Sequence, residues 1–273
     1  KYCYFWEVAM LTLYHQGSSV CAAKVRIVLF EKNLKWESQY IDVLKGEQFD
    51  PAYLKLNPNA VVPTLVHDTK VIIESTVNCE YLDDVFPEPP LRPTDPFQLA
   101  QMRIWTKRVD ERLHPMTSVL TYAASHRHTI LDNNSPGQVE AIINETRDPV
   151  KRQRKREWIE LGMEAPTARQ SIAEFTNTLN DMDEALSKKH WLAGETYSLA
   201  DIALSPYVNR LSMLSMDPFW QRYSYVSEWF DRIRTRESFE PCLRAWVPES
   251  LTQALEQNGR RSWPKVENFI GSA

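Results

Sequence analysis

The chain has 273 residues, 43% of them hydrophobic, which can bury more than one ordinary core. Its formal net charge of -4 gives no general attraction to polyanions, so we expect no nucleic-acid partner. The sequence lacks an apolar run of the roughly 18 residues that span a membrane, so we expect no membrane association. Its cysteines are widely spaced without a C-x-x-C pair, which predicts neither a metal site nor disulfides and favours the cytoplasm.

The first predicted elements form a βαβ unit. Residues 1–9 precede Met10, and we interpret them as an upstream extension or a cloning remnant outside the fold. Residues 11–14 alternate apolar and polar side chains as a strand does, a helix is predicted over 21–32, and a second strand over 36–43.

The predicted helix over 21–32 has a mixed surface. Its apolar residues Val25, Val28 and Leu29 fall on one side. The charged residues on the other sides are Lys24, Arg26, Glu31 and Lys32.

A hairpin and a helix follow a polar connection that ends at Asn57-Pro58. The short apolar runs 63–66 and 70–73 are predicted strands, and Ser75 or Thr76 begins a helix to about residue 86. The order βαβ then ββα predicts an α/β thioredoxin-like domain with a mixed four-stranded sheet over residues 10–88.

The remainder of the chain is predicted to be a linker and an all-α domain. Prolines crowd residues 89–96, which favours a stiff linker. From 97 to 273 no strand pattern appears, and residues 132–137 are a polar excursion. Ser198 and Asp201 have the spacing of a capping box, and the basic run 151–156 is expected to be a solvated helix face. Helices are predicted over 97–124, 148–161, 168–186, 199–214 and 224–236.

The stretch around Pro63 predicts a binding site for a small acidic peptide. Val62–Pro63 is an X–Pro bond behind a β-branched pair, where a cis peptide can leave a strand edge open to an extended peptide. Glu74 and Ser75 stand at a predicted helix N-terminus, where backbone N–H groups favour an anion.

In order and spacing, residues 10–245 resemble the cytosolic-type glutathione S-transferases, including a Trp-Leu-Ala-Gly run before the capping box. Residues 19–26 are similar to the serine-using zeta and theta classes. Residues 74–88, 91–97 and 102–107 are similar to bacterial β-etherases, which cleave lignin-derived aryl ethers. Residues 59–65 and the Ser-x-Cys spacing also resemble tetrachlorohydroquinone reductive dehalogenases.

The resemblance implies glutathione as co-substrate, no metal, a homodimer, and a small hydrophobic or aromatic electrophile as second substrate. Ser19 would be the hydroxyl that activates the glutathione thiol, with Ser18 as its competitor. Cys21 would carry the chemistry of a glutathione lyase or reductive dehalogenase, or else be a small buried residue. A transferase-fold binding protein without turnover is the third hypothesis.

The resemblance also assigns glutathione contacts. The Val62 backbone, next to Pro63, would bind the cysteinyl unit, and Glu74 with Ser75 the γ-glutamyl end. Asp110 would reach across a dimer interface, or else pair within its own helix. Gln48 and Lys45 would reach the glycyl carboxylate, or else be ordinary polar loop residues.

A hydrophobic pocket for the second substrate is expected between the two domains, with the segment after Trp246 able to cover it. Its aromatic members could equally be core residues, and the sequence leaves the substrate and its stereochemistry open. The lining residues expected are Trp105, Met116, Leu120 and Tyr122.

Overall fold

A computed structural model describes residues 10–43 and 45–271, so the interpretation of residues 1–9 lies outside the described part. The chain divides into two compact units. The first contains the described residues up to Pro93 together with Thr235–Val247, and the second contains Thr94–Arg234 and the described residues from Pro248. Residues 235–247, which the sequence assigned to the helical domain, thus pack in the first unit.

The first unit is built on the predicted mixed four-stranded sheet, which is confirmed. Its strand order is β2-β1-β3-β4, with β1 parallel to β2 and antiparallel to β3, and β3 antiparallel to β4. Leu13 on β1 lies opposite Ser38 on β2 and Leu65 on β3. The strands are β1 Leu11–His15, β2 Trp36–Tyr40, β3 Thr64–His67 and β4 Lys70–Ile73.

Among its described residues, the first unit also has the α-helices α1 Val20–Glu31, α2 Pro51–Leu56 and α3 Ser75–Val85. Helix α1 packs against both α3 and the turn Glu240–Arg244. Lys24 and Arg26 fall outside the apolar side of α1 in the sequence, yet each is only 1% exposed. The sequence shows their charge but not the second layer that covers them.

The regular elements described in the second unit are helices. A nearly continuous helical rod begins at Pro96 and changes to π-helical turns at Val109–Leu113 and Tyr122–His126. The helices are α4 Pro96–Arg108, α5 His114–Thr121, α6 Arg127–Asn133, α7 Pro136–Asn144, α8 Pro149–Leu161, α9 Pro166–Leu186, α10 Leu199–Met213, α11 Asp217–Gln221, α12 Ser224–Arg234 and α13 Glu249–Gly271.

The capping box at the start of α10 is confirmed. Asp201 is fully buried, and its carboxylate accepts hydrogen bonds from the backbone N–H groups of Leu192 and Ser198, both at 3.0 Å, and from the Trp229 indole at 2.9 Å. Burial raises the pKa of Asp201, whereas these donors act to lower it. The box therefore ties α10 to α12 and to the preceding turn.

The polar excursion predicted over 132–137 is shorter in the structure, where only Asn134 and Ser135 separate two helices. Helix α6 continues to Asn133, and Ser135 caps α7 one residue before Pro136. The expected solvated face of 151–156 is only partly correct, because Lys155 Nζ donates to the Ile142 carbonyl at 2.6 Å and so caps the end of α7. Among the residues described, no helix is long and apolar enough to cross a membrane.

Candidate functional site

The turn before β3 has a cis Val62–Pro63 peptide bond, at the position where the sequence suggested one. Two side chains hold this turn: the Tyr53 hydroxyl donates to the Val61 carbonyl at 2.6 Å, and Asn57 Nδ2 donates to the same oxygen at 2.9 Å. Val62 is half-buried and lies just outside β3.

Tyr53 and Asn57 are residues that sequence reasoning missed. Both also hydrogen-bond the Thr64 hydroxyl, at 2.9 and 3.0 Å, and both are nearly fully buried. Asn57 stands before a proline, which indicated only a chain break. The sequence carries no signal for its role, because the need of a buried Asn amide for partners follows only once the structure shows its burial.

Helix α3 begins directly after β4, at the Glu74-Ser75 pair. Glu74 has a φ of +69°, a left-handed backbone conformation that a side chain disfavours, and it is exposed. Its carbonyl accepts the first helical hydrogen bond, from Asn78 N at 2.8 Å, and Ser75 is buried. The Lys24 ammonium donates to the Thr76 hydroxyl at 3.1 Å. A buried cation thus stands beside a helix N-terminus, and both favour an anion there.

The loop between β1 and α1 has two serines with different hydrogen bonds. Ser19 is the N-cap of α1, and its hydroxyl oxygen accepts from Ala22 N at 3.2 Å. That bond uses a lone pair, so the Ser19 hydroxyl proton can still be donated. The Ser18 hydroxyl instead donates its proton to Gln16 Oε1 at 3.0 Å.

Cys21 lies in the first turn of α1 and is half-buried, whereas Cys79 and Cys242 are buried. Burial raises the pKa of the Cys242 thiol to about 12, which makes it unreactive. Among the cysteines that the structure describes, Cys21 is therefore the accessible one.

Lys45 and Gln48 lie in and beside the short helical turn Glu47–Phe49. Lys45 is exposed and pairs with Asp42 at 3.2 Å. Gln48 is half-buried, and its side-chain oxygen is enclosed without a hydrogen-bond partner.

The four expected pocket residues differ in burial within the second unit. Leu120 is fully buried, and Trp105 is 8% exposed with its indole N–H donating to the Leu192 carbonyl at 3.2 Å. Met116 and Tyr122 are half-buried. The Tyr122 ring lies 5.5 Å from that of Trp158, and burial raises the Tyr122 pKa to about 12.

Asp110 is exposed in the π-helical turn Val109–Leu113, while Lys107 pairs with Glu111. The residues after Trp246 form α13, which packs on the other π-helical turn, Tyr122–His126. No group of three or more potential metal ligands occurs within residues 10–43 and 45–271.

Two family models match the chain: the N-terminal domain of glutathione S-transferase over residues 18–85 and the C-terminal domain of glutathione S-transferase over residues 151–237. The chain belongs to the glutathione S-transferase family. It is therefore a transferase enzyme of a family whose co-substrate is glutathione.

Three relatives are similar to the chain over most of its length. Protein LigF of Sphingobium sp. strain SYK-6 is 35% identical over 88% of this chain and 96% of its own length. The crystal structure of β-etherase LigF from that strain has a TM-score of 0.73 at 33% identity, covering 85% of this chain and 98% of that one. Glutathione S-transferase Z1 of Arabidopsis thaliana is 30% identical over 90% of this chain and 96% of its own length. A tetrachloro-p-hydroquinone reductive dehalogenase of Sphingobium chlorophenolicum is 25% identical over 84% of this chain and 94% of its own length.

Proposed function

We propose that this glutathione transferase uses the Ser19 hydroxyl to hold the thiolate of glutathione, which then attacks the carbon of an aryl ether. The sulfur forms a C–S bond, the C–O bond breaks, and the phenoxide leaves and takes up a proton. The observation that carries the proposal is the N-cap geometry of Ser19, whose oxygen accepts from Ala22 N and whose proton can be donated to sulfur.

The physical requirement is a lower thiol pKa. A thiol such as that of glutathione titrates near ~8.5, so only a few per cent is thiolate at neutral pH. A charge-assisted hydrogen bond contributes roughly 1.5–3 kcal/mol, or about one to two pKa units. The N-terminus of α1 adds to this in the same direction, because its partial positive charge favours an anion.

The remaining glutathione contacts follow the geometry of the first unit. The backbone of Val62, fixed beside Pro63, would pair with the cysteinyl unit. Glu74 and Ser75 would bind the γ-glutamyl end, where the carboxylate of the ligand meets the N-terminus of α3. Gln48 is favoured over Lys45 for the glycyl end, because Lys45 already pairs with Asp42.

For the second substrate, we expect Tyr122 and Met116 to make contact, since both keep part of their surface exposed. Trp105 and Leu120 would be core residues that support those contacts without touching the substrate, because their side chains are nearly or fully buried. An aromatic ether is favoured by the similarity to a structure named as a β-etherase.

The proposed assembly is a homodimer. Phe97 and Ile104 are 67% and 58% exposed on α4, about two turns apart and therefore on one face. Exposed apolar side chains that share a face indicate a partner surface. Asp110 lies further along the same helical rod, and we expect it to approach the glutathione of the partner.

The accessible Cys21 thiol favours the reducing cytoplasm.

The second candidate function rests on the accessibility of Cys21. Its thiolate would attack the sulfur of a glutathione conjugate, form a mixed disulfide, and expel the organic group as a carbanion that takes up a proton. A second glutathione would then reduce the mixed disulfide and leave as glutathione disulfide. The similarity to a reductive dehalogenase supports this candidate.

Two substrates separate the candidates. Wild type and Cys21→Ser should cleave a β-aryl ether with glutathione at similar rates and release the phenol and a thioether. Wild type should leave a glutathionyl ketone intact. Turnover of the ketone that Cys21→Ser abolishes would support the second candidate instead. Glutathione binding without turnover of either substrate would support a binding protein.

A further inference from the structure

Arg26 is a fully enclosed cation whose guanidinium contacts the loop that carries Ser18 and Ser19. Its Nη1 donates to the Gln16 carbonyl at 3.2 Å, its Nη2 to the Gly17 carbonyl at 3.0 Å, and its Nε to the Cys242 carbonyl at 2.9 Å. Burial lowers its pKa to about 10, so it remains protonated at neutral pH.

The contact reaches Ser19 in one further hydrogen bond. The Gln16 carbonyl accepts from Arg26 and also from the backbone N–H of Ser19, each at 3.2 Å. Ser19 in turn accepts from Ala22 N. The position of the Ser19 hydroxyl is therefore fixed on one side by α1 and on the other by a carbonyl that Arg26 holds.

The same guanidinium also orders His15. Because Arg26 is a donor, His15 Nδ1 at 3.2 Å must accept, which leaves the proton on Nε2 to be donated to Ser38 Oγ at 2.8 Å. The His15 ring packs edge-on against Trp246 at 4.6 Å between centroids. The backbone carbonyl of Trp246 lies so close to Gly17 that a Cβ there would stand 1.9 Å from its oxygen.

We propose that Arg26 is a positioning residue for the thiolate site: it holds the Gln16–Ser19 loop against residues 242–246, so that the Ser19 hydroxyl meets the sulfur of glutathione. This inference rests on the proposed role of Ser19. A guanidinium suits the task because its planar fork can serve several carbonyls at once, which an ammonium cannot do in the same geometry.

The test compares Arg26→Lys with Arg236→Lys. Arg236 also joins residues 235–247 to α1, through two hydrogen bonds to Glu31 at 2.8 and 2.6 Å, but at the end of α1 away from Ser19. Both variants lose a multidentate contact, so both should unfold at lower temperature. We expect only Arg26→Lys to raise the pKa of bound glutathione, by about one unit or tenfold in thiolate fraction, and to speed amide exchange at residues 17–19.

Separate outcomes overturn the two claims. An unchanged thiol pKa and unchanged amide exchange in folded Arg26→Lys would disprove positioning. Faster exchange in Arg26→Lys with an unchanged thiol pKa in both Arg26→Lys and Ser19→Ala would retain Arg26 as the support of the loop but disprove the role of Ser19. If Arg26→Lys does not fold, glutathione added to wild type decides: amides of 17–19 and 242–246 should gain protection together, and protection of only one segment contradicts the proposal.

Discussion

The Ser19 hydroxyl accepts a hydrogen bond from the backbone N–H of Ala22, whereas the neighbouring Ser18 hydroxyl donates one to the side-chain oxygen of Gln16. The two serines, adjacent in sequence, therefore differ in what they can offer to a thiolate. Ser19 can donate while it keeps its role in the fold, and Ser18 would first have to give up an existing bond.

Replacement of each serine by alanine should separate them. Ser19→Ala should raise the pKa of bound glutathione by about one to two units, because a charge-assisted hydrogen bond is lost. It should also cost about 1 kcal/mol of unfolding free energy through loss of the N-cap. Thiolate absorbance against pH measures the first effect and urea unfolding the second. A larger thiol shift in Ser18→Ala than in Ser19→Ala would reverse the assignment.

Glu74 is expected to exchange fold stability for ligand binding. Glu74→Gly removes the side chain that makes the backbone conformation at φ +69° unfavourable. The unfolding free energy should therefore stay within about 1 kcal/mol of wild type. Glutathione affinity, measured by calorimetry, should weaken roughly tenfold to a hundredfold through loss of a charged contact.

Two further variants control that experiment. Glu74→Gln keeps the backbone strain and removes the charge, so it should weaken binding in the same way. Asp68→Gly relieves a similar conformation, with φ +55°, in the turn after β3, and it should leave glutathione affinity unchanged. Tight binding by both Glu74 variants would exclude this carboxylate from the site.

Acid should destabilise the protein partly through His15. Burial, with Arg26 beside it, lowers the His15 pKa from 6.5 to about 3. Between these values the unfolded chain binds the proton and the folded chain does not, so stability is greatest above pH 6.5 and falls as the pH drops. The contribution of one such group to the slope is at most about 1.4 kcal/mol per pH unit.

Urea unfolding at pH 7 and pH 5 checks this. His15→Gln should lose less stability between the two values than wild type does. It should not abolish the loss, because burial lowers the pKa of His126 and His128 as well, each to about 4. Ser38→Ala, which removes only the hydrogen-bond partner of His15, should keep the wild-type loss, and equal losses in all three proteins would contradict the assignment to His15.

The proposed dimer surface can be tested on α4. The double variant Phe97→Glu with Ile104→Lys should weaken self-association by at least about a hundredfold, because it places charges in an apolar contact. Light scattering across a concentration series measures this. Val150→Glu, at a side chain 63% exposed on α8, should remain dimeric. A monomeric wild type would disprove the homodimer, and a dimeric double variant would show that its interface lies elsewhere.

Local sequence patterns predicted correctly those elements that depend on neighbouring residues. The strand alternation before His15, the capping box at Ser198, and the helix start at Ser75 all depend on neighbouring residues, and the structure has each of them. The helix α7 was missed because Asn133 and Pro136 look like loop residues, although Pro and Ser are also what a helix start requires.

Long-range partners could not be predicted in this way. The burial of Arg26 depends on the carbonyl of Cys242, and no periodicity in α1 carries information about a segment so far along the chain. For the candidate site, the predicted helix start suggested Glu74 and Ser75, and the family resemblance suggested Ser19. The supporting contacts of Tyr53 and Asn57 became visible only when the turn before β3 was folded.

The separation of 216 positions between Arg26 and Cys242 has a consequence for biosynthesis. A nascent chain that has emerged only through the first unit's sheet must leave a guanidinium without one of its acceptors, and burying a charge in that state is costly. The unit that is translated first should therefore mature last, after residue 246 has left the ribosome. We expect a fragment ending at Pro93 to be recovered as an aggregation-prone, incompletely packed species.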